Sequence, residues 1–326
     1  MKNILITGSS GFIGQNLCAY LEFLDGIKII RCNKDNFVKV LETNINDIDF
    51  IFHLAGTNRS NYENDYLENN VNNTEFLTNF LQKANNKAPI IFASSVQVNN
   101  FSIYSQTKKK AEDVLIKHSK RNKSKISIFR LPNVFGKWSK PNYNSFISTV
   151  INNVINNKIT DIWDGNKDIK LLYIDDLIKL LEKSIFDYNE LPTHLEDFHV
   201  EKDTPNNIHK KILTFNQERE SPSFNLNLNS FDKKLYSTYL SFLEIKKCIF
   251  SIKSNIDKRG DFIEFVKSPL IGQVSGFYSN VNISRGNHFH HSKVERFLIL
   301  SGKAKFHFKH FLTGEEFEKI ISYDKP

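Results

Sequence analysis

The sequence predicts a doubly wound α/β domain built on a parallel sheet, followed by a smaller all-β domain. Three observations carry this reading. Over the first two-thirds of the 326 residues, short apolar runs alternate with amphipathic helical stretches, the β-α-β-α rhythm of a parallel sheet covered on both faces. The glycine-rich turn Gly8-Ser9-Ser10-Gly11-Phe12-Ile13-Gly14 lies between the first apolar run and the first helix. Beyond about Leu240 helical periodicity gives way to short alternating stretches separated by turn residues, the texture of a sandwich or barrel.

Taken in order, Ile4–Ile6, Ile27–Cys32, Phe50–Leu54, Pro89–Ala93 and Ile126–Arg130 read as strands. Gly11–Leu24, Asn70–Gln82 and Gln106–Lys120 read as the helices that cover them. The asparagine tracts at 69–73 and 152–157 suit exposed helix faces. The domain boundary is placed near Ser241–Lys246, giving residues 1–242 and 243–326. In the second domain Phe262–Val266, Gly272–Ser275, Asn280–Ile283, Arg296–Leu300 and Lys303–Phe308 read as strands.

Composition narrows the class. With 40% hydrophobic and 25% charged residues the chain is an ordinary globular one, so disorder as its main state is excluded. Cys18, Cys32 and Cys248 are too few and too scattered for a disulfide framework or a four-thiolate zinc site. No run approaches the ~18 apolar residues of a membrane span. Ile4–Thr7 is too short for the core of a signal peptide; membrane insertion is not expected, and a cytoplasmic protein is. The net charge of +8 invites a nucleic-acid partner, but the abundance of Lys, Asn, Ile and Phe fits low-GC coding bias with an anionic small-molecule partner. No nucleic-acid partner is expected.

The glycines of the first turn have three physical tasks: a tight turn, close approach of backbone to a pyrophosphate, and close helix–sheet packing. The helix that follows offers unpaired N–H groups and a positive dipole end. Gly8, Ser10, Gly11, Phe12, Ile13 and Gly14 are therefore the candidate dinucleotide cradle of a Rossmann-type domain. At the end of the second strand, where a free ribose 2′-hydroxyl usually meets an Asp or Glu, the sequence offers Arg31 and Lys34. These cations suit a 2′-phosphate, so NADPH is expected.

Tyr104-Ser105-Gln106-Thr107-Lys108 places a phenol and an ammonium at i, i+4 on one helix face, after a strand ending in Ser94-Ser95. The ammonium is expected to lower the Tyr104 pKa. Tyr104 then serves as general acid for a carbonyl being reduced, the Ser95 hydroxyl, preferred over Ser94, polarises that carbonyl, and Lys108 also holds the nicotinamide ribose.

Together, Gly8–Gly14, His53-Leu54-Ala55-Gly56, Ser94-Ser95, Tyr104…Lys108 and Tyr173-Ile174-Asp175-Asp176 resemble the extended short-chain dehydrogenase/reductase family over about residues 1–240. The resemblance implies a nucleotide-sugar substrate, cofactor contacts from Leu54, Ala55 and Gly56, and a supporting role for Asn70 in proton relay. It also implies that 130–138 and 140–145 meet the sugar nucleotide, with Asn133, Lys140, Asn142 and Asn144 as candidate contacts.

In the second domain Gly286-Asn287-His288-Phe289-His290, then Glu295 and Gly302, resembles the first cupin motif. On a strand, residues two apart share a face, so His288 and His290 would converge, and with Glu295 would suit Zn²⁺. With Leu235–Leu240 added, the chain is similar to bifunctional enzymes of capsular polysaccharide synthesis that join a reductase to a cupin. That likeness implies NADPH-dependent reduction at C4 of a UDP-4-keto-6-deoxy-N-acetylhexosamine, toward UDP-N-acetyl-L-fucosamine. It also implies C3 epimerisation by a zinc cupin, and a homodimer. The second cupin motif, due about twenty residues later, does not occur before Pro326, so the β-domain is expected to be incomplete, with its metal binding left open. Two alternatives stand beside this reading: an NAD-dependent epimerase or dehydratase that recycles its cofactor, and a non-catalytic Rossmann sensor or scaffold, against which Ser95, Tyr104 and Lys108 argue.

Overall fold

A computed structural model describes residues 1–143, 145–162, 164–221, 228–268 and 272–324. The chain forms two compact units, residues 1–254 with 263–276, and residues 255–262 with 277–326.

The first unit alternates strand and helix as β1 (Lys2–Thr7), α1 (Phe12–Leu21), β2 (Ile27–Cys32), α2 (Phe37–Asn44), β3 (Phe50–His53), α3 (Glu63–Tyr66), α4 (Asn73–Lys83), β4 (Ile90–Ser95), α5 (Ile103–Asn122) and β5 (Ile126–Leu131). A π-helical turn, Leu67–Asn72, joins α3 to α4, and a 3₁₀ turn, Val96–Asn99, follows β4. Then come β6 (Asn133–Phe135), α6 (Phe146–Ile155), β7 (Ile169–Tyr173), α7 (Ile174–Phe186), β8 (His194–Leu195), β9 (Glu201–Asp203), α8 (Pro205–Glu218) and α9 (Ser230–Leu240).

The main sheet has the order β2-β1-β3-β4-β5-β8, parallel throughout. Alternation along the strands divides its apolar side chains. Ile4, Ile6, Phe50, Phe52, Ile91 and Phe129 pack with Leu17 and Leu21 of α1 and Leu177 and Leu181 of α7. Leu5, Ile51, Ile90, Phe92 and Ile128 pack on the opposite face with Leu41 of α2, Leu77 of α4 and Leu115 of α5. Coverage on both faces is why these strands are continuous apolar runs. Each such side chain, fully buried, contributes about 1.5–3 kcal/mol.

Because β2 and β3 flank β1 on opposite sides, the chain reverses its direction of winding there, and the crevice beyond the carboxyl end of β1 opens at that switch point. A second sheet, β6-β7-β9, packs with α6, α8 and α9 around Phe135, Ile151, Ile212, Leu235 and Tyr239.

Helix α5 carries the catalytic pattern and is fixed at both ends. Ser102 caps it by accepting from the Ser105 amide, Lys123 closes it at φ 58°, and Lys120 and Arg121 lie against the negative end of its dipole.

β10 (Ser254–Asp257), β11 (Gly260–Ser268) and β12 (Gly272–Ser279) form a three-stranded sheet. β13 (Lys303–Lys309) and β14 (Glu316–Ser322) form an antiparallel pair. Two expected strands are corrected. Asn280–Ile283 is a turn, with Asn282 at φ 62°. Arg296–Leu300 is not a strand either: it alternates, but no described residue forms a ladder with it, and Leu298 and Leu300 stay exposed. Among the described residues all three buried apolar clusters lie in the first unit.

Candidate active site

The turn after β1 is shaped by what a side chain would strike. A Cβ on Gly14 would lie 2.1 Å from the Gly8 carbonyl oxygen. Gly8, at φ +68°, leaves room for the Ala55 backbone, which a Cβ would meet at 2.8 Å. The β1 turn and the Leu54–Gly56 loop therefore touch at backbone distance. Gly11 precedes α1 in extended conformation, and no side chain caps the helix or places an acid in its first turn. These leading amides face the crevice ready for an anion. Ser10 is exposed on the turn, while Phe12, Ile13 and Leu54 are half-buried against the core.

At the end of β2, Arg31 is paired with Glu22, the residue that follows α1. Lys34 is exposed and makes no ion pair among the described residues. The two cations expected at a 2′-phosphate are thus unequal: Arg31 already has a carboxylate, Lys34 does not. Between them Asn33 accepts from the Asp35 and Asn36 amides, shaping the turn.

The catalytic candidates come from two elements. β4 ends in Ser94-Ser95, and the first turn of α5 supplies Tyr104. The Ser95 hydroxyl is hydrogen-bonded to the Tyr104 phenol and accepts from the Gln97 amide at 3.2 Å. Ser94 instead donates to Glu112 Oε1 at 2.6 Å. Lys108, 4% exposed, donates from Nζ to the Ala93 carbonyl at 2.6 Å and lies 4.3 Å from the centre of the Phe92 ring. Burial pulls its pKa down to about 8, against an opposing pull from Glu112.

The expected lowering of the Tyr104 pKa is not what the structure shows. Burial raises it, and the hydrogen bond from Ser95 offsets this only in part. The physical reason is that the Lys108 ammonium is directed to the Ala93 carbonyl, while the phenol loses water on the enclosed side of the helix. A phenol held above its ordinary value is protonated at neutral pH, the form a general acid needs.

A buried polar chain supports these groups. Thr74 Oγ1 donates to the Asn70 carbonyl at 2.8 Å, so it accepts from His53 Nε2 at 2.8 Å. His53 Nδ1 is then the acceptor from Thr7 Oγ1 at 2.7 Å, and Thr7 Oγ1 accepts from the Ala55 amide at 3.2 Å. Each hydrogen in this assignment has one acceptor, which fixes the Nε2–H tautomer. Burial, with the nearby Lys108 charge, lowers the His53 pKa to about 3, so the ring is neutral. Asn70 lies inward on the π-helical turn, accepting from the Thr57 amide at 2.8 Å and donating to Thr107 Oγ1 at 3.1 Å.

Sequence reasoning assigned no chemistry to His53 or Glu112. A signal existed for both. His53 is a polar residue ending an otherwise apolar, wholly buried strand, and Glu112 continues the four-residue spacing of Tyr104 and Lys108.

Of the candidate substrate contacts, Asn133, Lys140 and Asn142 are exposed around β6 and the loop before α6; Asn144 lies outside the described residues. Asn142 adopts φ 57° and its carbonyl accepts from Arg59 at 3.3 Å. Arg59 thereby joins the loop after β3 to the loop carrying the substrate candidates. Lys137 is paired with Asp175.

In the second unit His288, His290 and Glu295 each place a ligand atom within 4.8 Å of the others, all three exposed. They do not meet by strand alternation as expected, because residues 283–290 form no strand. Gly286 at φ 106° and Asn287 at φ 64° break the extended path just before them. Two imidazoles and a carboxylate suit zinc, although Glu295 is also held by Lys293 at 2.6 Å.

Comparison with known proteins agrees with this geometry. Residues 4–194 match the NAD dependent epimerase/dehydratase family, and residues 255–326 match the polysaccharide biosynthesis C-terminal domain. The chain is 34% identical to the UDP-2-acetamido-2,6-beta-L-arabino-hexul-4-ose reductase of Pseudomonas aeruginosa, over 99% of this chain and 87% of the relative. Among solved structures, the capsular polysaccharide assembling protein CapF of Staphylococcus aureus superposes with a TM-score of 0.87 at 34% identity, covering 99% of this chain and 88% of that one. A UDP-glucuronic acid 4-epimerase from Bacillus cereus, solved with NAD, shares the fold at TM-score 0.62 and 19% identity, over 73% of this chain and 98% of that one.

Proposed function

The chain belongs to the NAD-dependent epimerase/dehydratase family and is a nucleotide-sugar oxidoreductase; from that premise we propose that it reduces C4 of a UDP-linked 4-keto-6-deoxy-N-acetylhexosamine with NADPH, in the synthesis of a surface-polysaccharide precursor toward UDP-N-acetyl-L-fucosamine. The observation that carries this reading is the Ser95–Tyr104–Lys108 constellation, with Tyr104 protonated, on the sheet whose first turn is the Gly8–Gly14 cradle. The name of the Pseudomonas relative, a reductase of a UDP-linked hexul-4-ose, supports the substrate class.

When bound, the nicotinamide cofactor supplies the hydride that C4 receives. The chain does the rest. The Ser95 hydroxyl donates to the keto oxygen and Tyr104 passes its phenolic proton to the same oxygen as negative charge develops there, while Lys108 would hold the nicotinamide ribose. NADPH over NADH is supported by Lys34, which is exposed at the end of β2 and makes no ion pair among the described residues.

For the second unit the reading is zinc on His288, His290 and Glu295, where the metal's chemistry would be polarisation of a sugar carbonyl. C3 epimerisation, implied by the sequence resemblance, is the reaction assigned to it.

Substitution Tyr104→Phe tests the main reading. Following NADPH absorbance with the 4-keto sugar nucleotide, kcat should fall about 10²–10⁴-fold with NADPH affinity retained. Reduction at a near wild-type rate would overturn the assignment. Altered sugar without net NADPH consumption would favour a self-contained epimerase.

A further inference from the structure

Glu112 has no part in the reaction as described, yet it is a buried charge one helical turn from Lys108. Its side chain is wholly buried, and both oxygens are occupied. Oε1 accepts from Ser94 Oγ at 2.6 Å and from Arg130 Nε at 2.9 Å, and Oε2 accepts from the Arg130 guanidinium at 2.6 Å. Lys109 reaches Oε2 at 3.4 Å from the solvent side.

These contacts join three elements. Ser94 is on β4, Arg130 faces it across the ladder on β5, and Glu112 is on α5. Ser94 is covalently next to Ser95, and Lys108 lies one turn before Glu112. A bidentate carboxylate–guanidinium pair has a fixed planar geometry, so it sets the distance between helix and sheet as well as its charge.

We propose that Glu112 is a positioning residue of the reduction site: through Ser94 it fixes Ser95 against Tyr104, and it supplies the buried negative charge that keeps the Lys108 ammonium in place. The proposal rests on the reduction chemistry assigned above to Ser95, Tyr104 and Lys108.

Balance of charge explains why the anion matters. The groups around Lys108 are Tyr104 and Glu112 on its own helix, the neutral His53 from β3, the Ala93 carbonyl and Phe92 ring from β4, and Asn70 from the π-helical turn. Tyr66 lies edge-on to Tyr104, and Arg130 from β5 adds a positive charge behind Glu112. Glu112 is the anion among these groups. Its own acidity is consistent with that role: burial pushes its pKa up, but the Arg130 and Ser94 hydrogen bonds prevail and hold it below the ordinary carboxylate value.

The test uses Glu112→Gln in the full chain, with Ser94→Ala and the double variant Glu112→Gln/Arg130→Gln beside it. Lysine ¹³Cε NMR, assigned with Lys108→Met, reads the Lys108 titration without requiring turnover. In Glu112→Gln the Lys108 midpoint, and with it the alkaline limb of kcat, should move down by about one pH unit. kcat should fall at least about tenfold while KM and NADPH affinity stay within about threefold. Ser94→Ala should lower kcat without moving the limb, because the charge remains. Neutralising Arg130 as well should leave a smaller midpoint shift than Glu112→Gln alone.

A folded Glu112→Gln with the wild-type Lys108 midpoint, or with wild-type kcat, overturns the proposal. Should Glu112→Gln not fold, wild-type kcat in Ser94→Ala overturns it. If the wild-type chain itself fails to reduce the 4-keto sugar, the proposed function falls, and the Lys108 midpoints still decide the electrostatic role.

Discussion

Replacing Gly14 by alanine offers the sharpest quantitative test of the cofactor cradle. The added Cβ would stand 2.1 Å from the Gly8 carbonyl oxygen, 2.8 Å from Ser9 Cα and 2.9 Å from the Gly8 carbonyl carbon. All three are backbone atoms, so no side chain can rotate away. Relief requires α1 to retreat from the β1 turn by on the order of 1 Å, an overpacking cost of about 1–3 kcal/mol. The same retreat withdraws the helix amides from a bound pyrophosphate. If most of that cost is expressed in binding, NADPH affinity falls about 5–150-fold. Gly11→Ala is the internal control: its Cβ meets only the Gly8 carbonyl oxygen, at 3.1 Å, and Gly11 is already extended at φ −79°. A shift of a few tenths of an ångström suffices there, so affinity should change by less than about threefold. Fluorescence titration with NADPH measures both variants, with thermal melting to confirm that each is folded. A Gly14→Ala protein binding within twofold of wild type, or weaker binding by Gly11→Ala than by Gly14→Ala, would refute the reasoning.

Three further outcomes follow from the same structure. Lys34→Glu should weaken NADPH binding by about tenfold or more with little effect on NADH, whereas Arg31→Gln should do less, because Arg31 is already paired with Glu22; equal affinities for both cofactors in the wild type would defeat the assignment. The His53 pKa is depressed to about 3 in the fold, against about 6.5 in an unfolded chain. Its contribution is therefore full above that unfolded value and is lost as pH falls toward 3, by about 1.4 kcal/mol for each unit in that window. Urea unfolding at pH 5.5 and 4.5 should show that loss, and His53→Gln should reduce it; an unchanged pH slope would contradict the neutral buried ring. Purified protein should carry about one zinc per chain if His288, His290 and Glu295 bind it as zinc ligands ordinarily do, and His288→Ala should remove it; a metal-free wild type after zinc dialysis would end that reading.

What the sequence disclosed divides along the line between local and non-local information. The five apolar runs became strands because a strand covered on both faces leaves a continuous apolar mark in the sequence. β8, with two residues, leaves none. The glycine turn and the Tyr104–Lys108 spacing were legible because each is confined to a few consecutive residues. The groups that support them are not. Thr7 reaches His53 across 46 residues, and Arg130 reaches Glu112 across 18. Parallel register sets Thr7 beside His53 and Ser94 beside Arg130, and the packing of α5 on the sheet brings Glu112 to the second pair. The sign of the Tyr104 pKa shift belongs to the same class. Charge spacing along a helix can be read from sequence, but the loss of water around the phenol depends on what the sheet and the π-helical turn pack against it.

The second unit shows the converse, a local pattern that did not become the expected structure. Arg296–Leu300 alternates as a strand should, yet a strand is defined by a partner, and no described residue supplies one. Its apolar side chains accordingly remain exposed. His288, His290 and Glu295 nonetheless converge, through the left-handed backbone at Gly286 and Asn287. A site that depends on strand alternation should fail where the ladder is missing, whereas one set by a turn of two to three residues does not need the ladder at all. Binding at the histidine trio should therefore depend more on Gly286 than on the pairing of β13 with β14. Gly286→Val, which forces a β-branched side chain into φ 106°, should disturb zinc uptake, while Phe308→Ala on β13, away from the turn, should leave it unchanged. If the two substitutions had the reverse effects, the turn would not be what brings the ligands together.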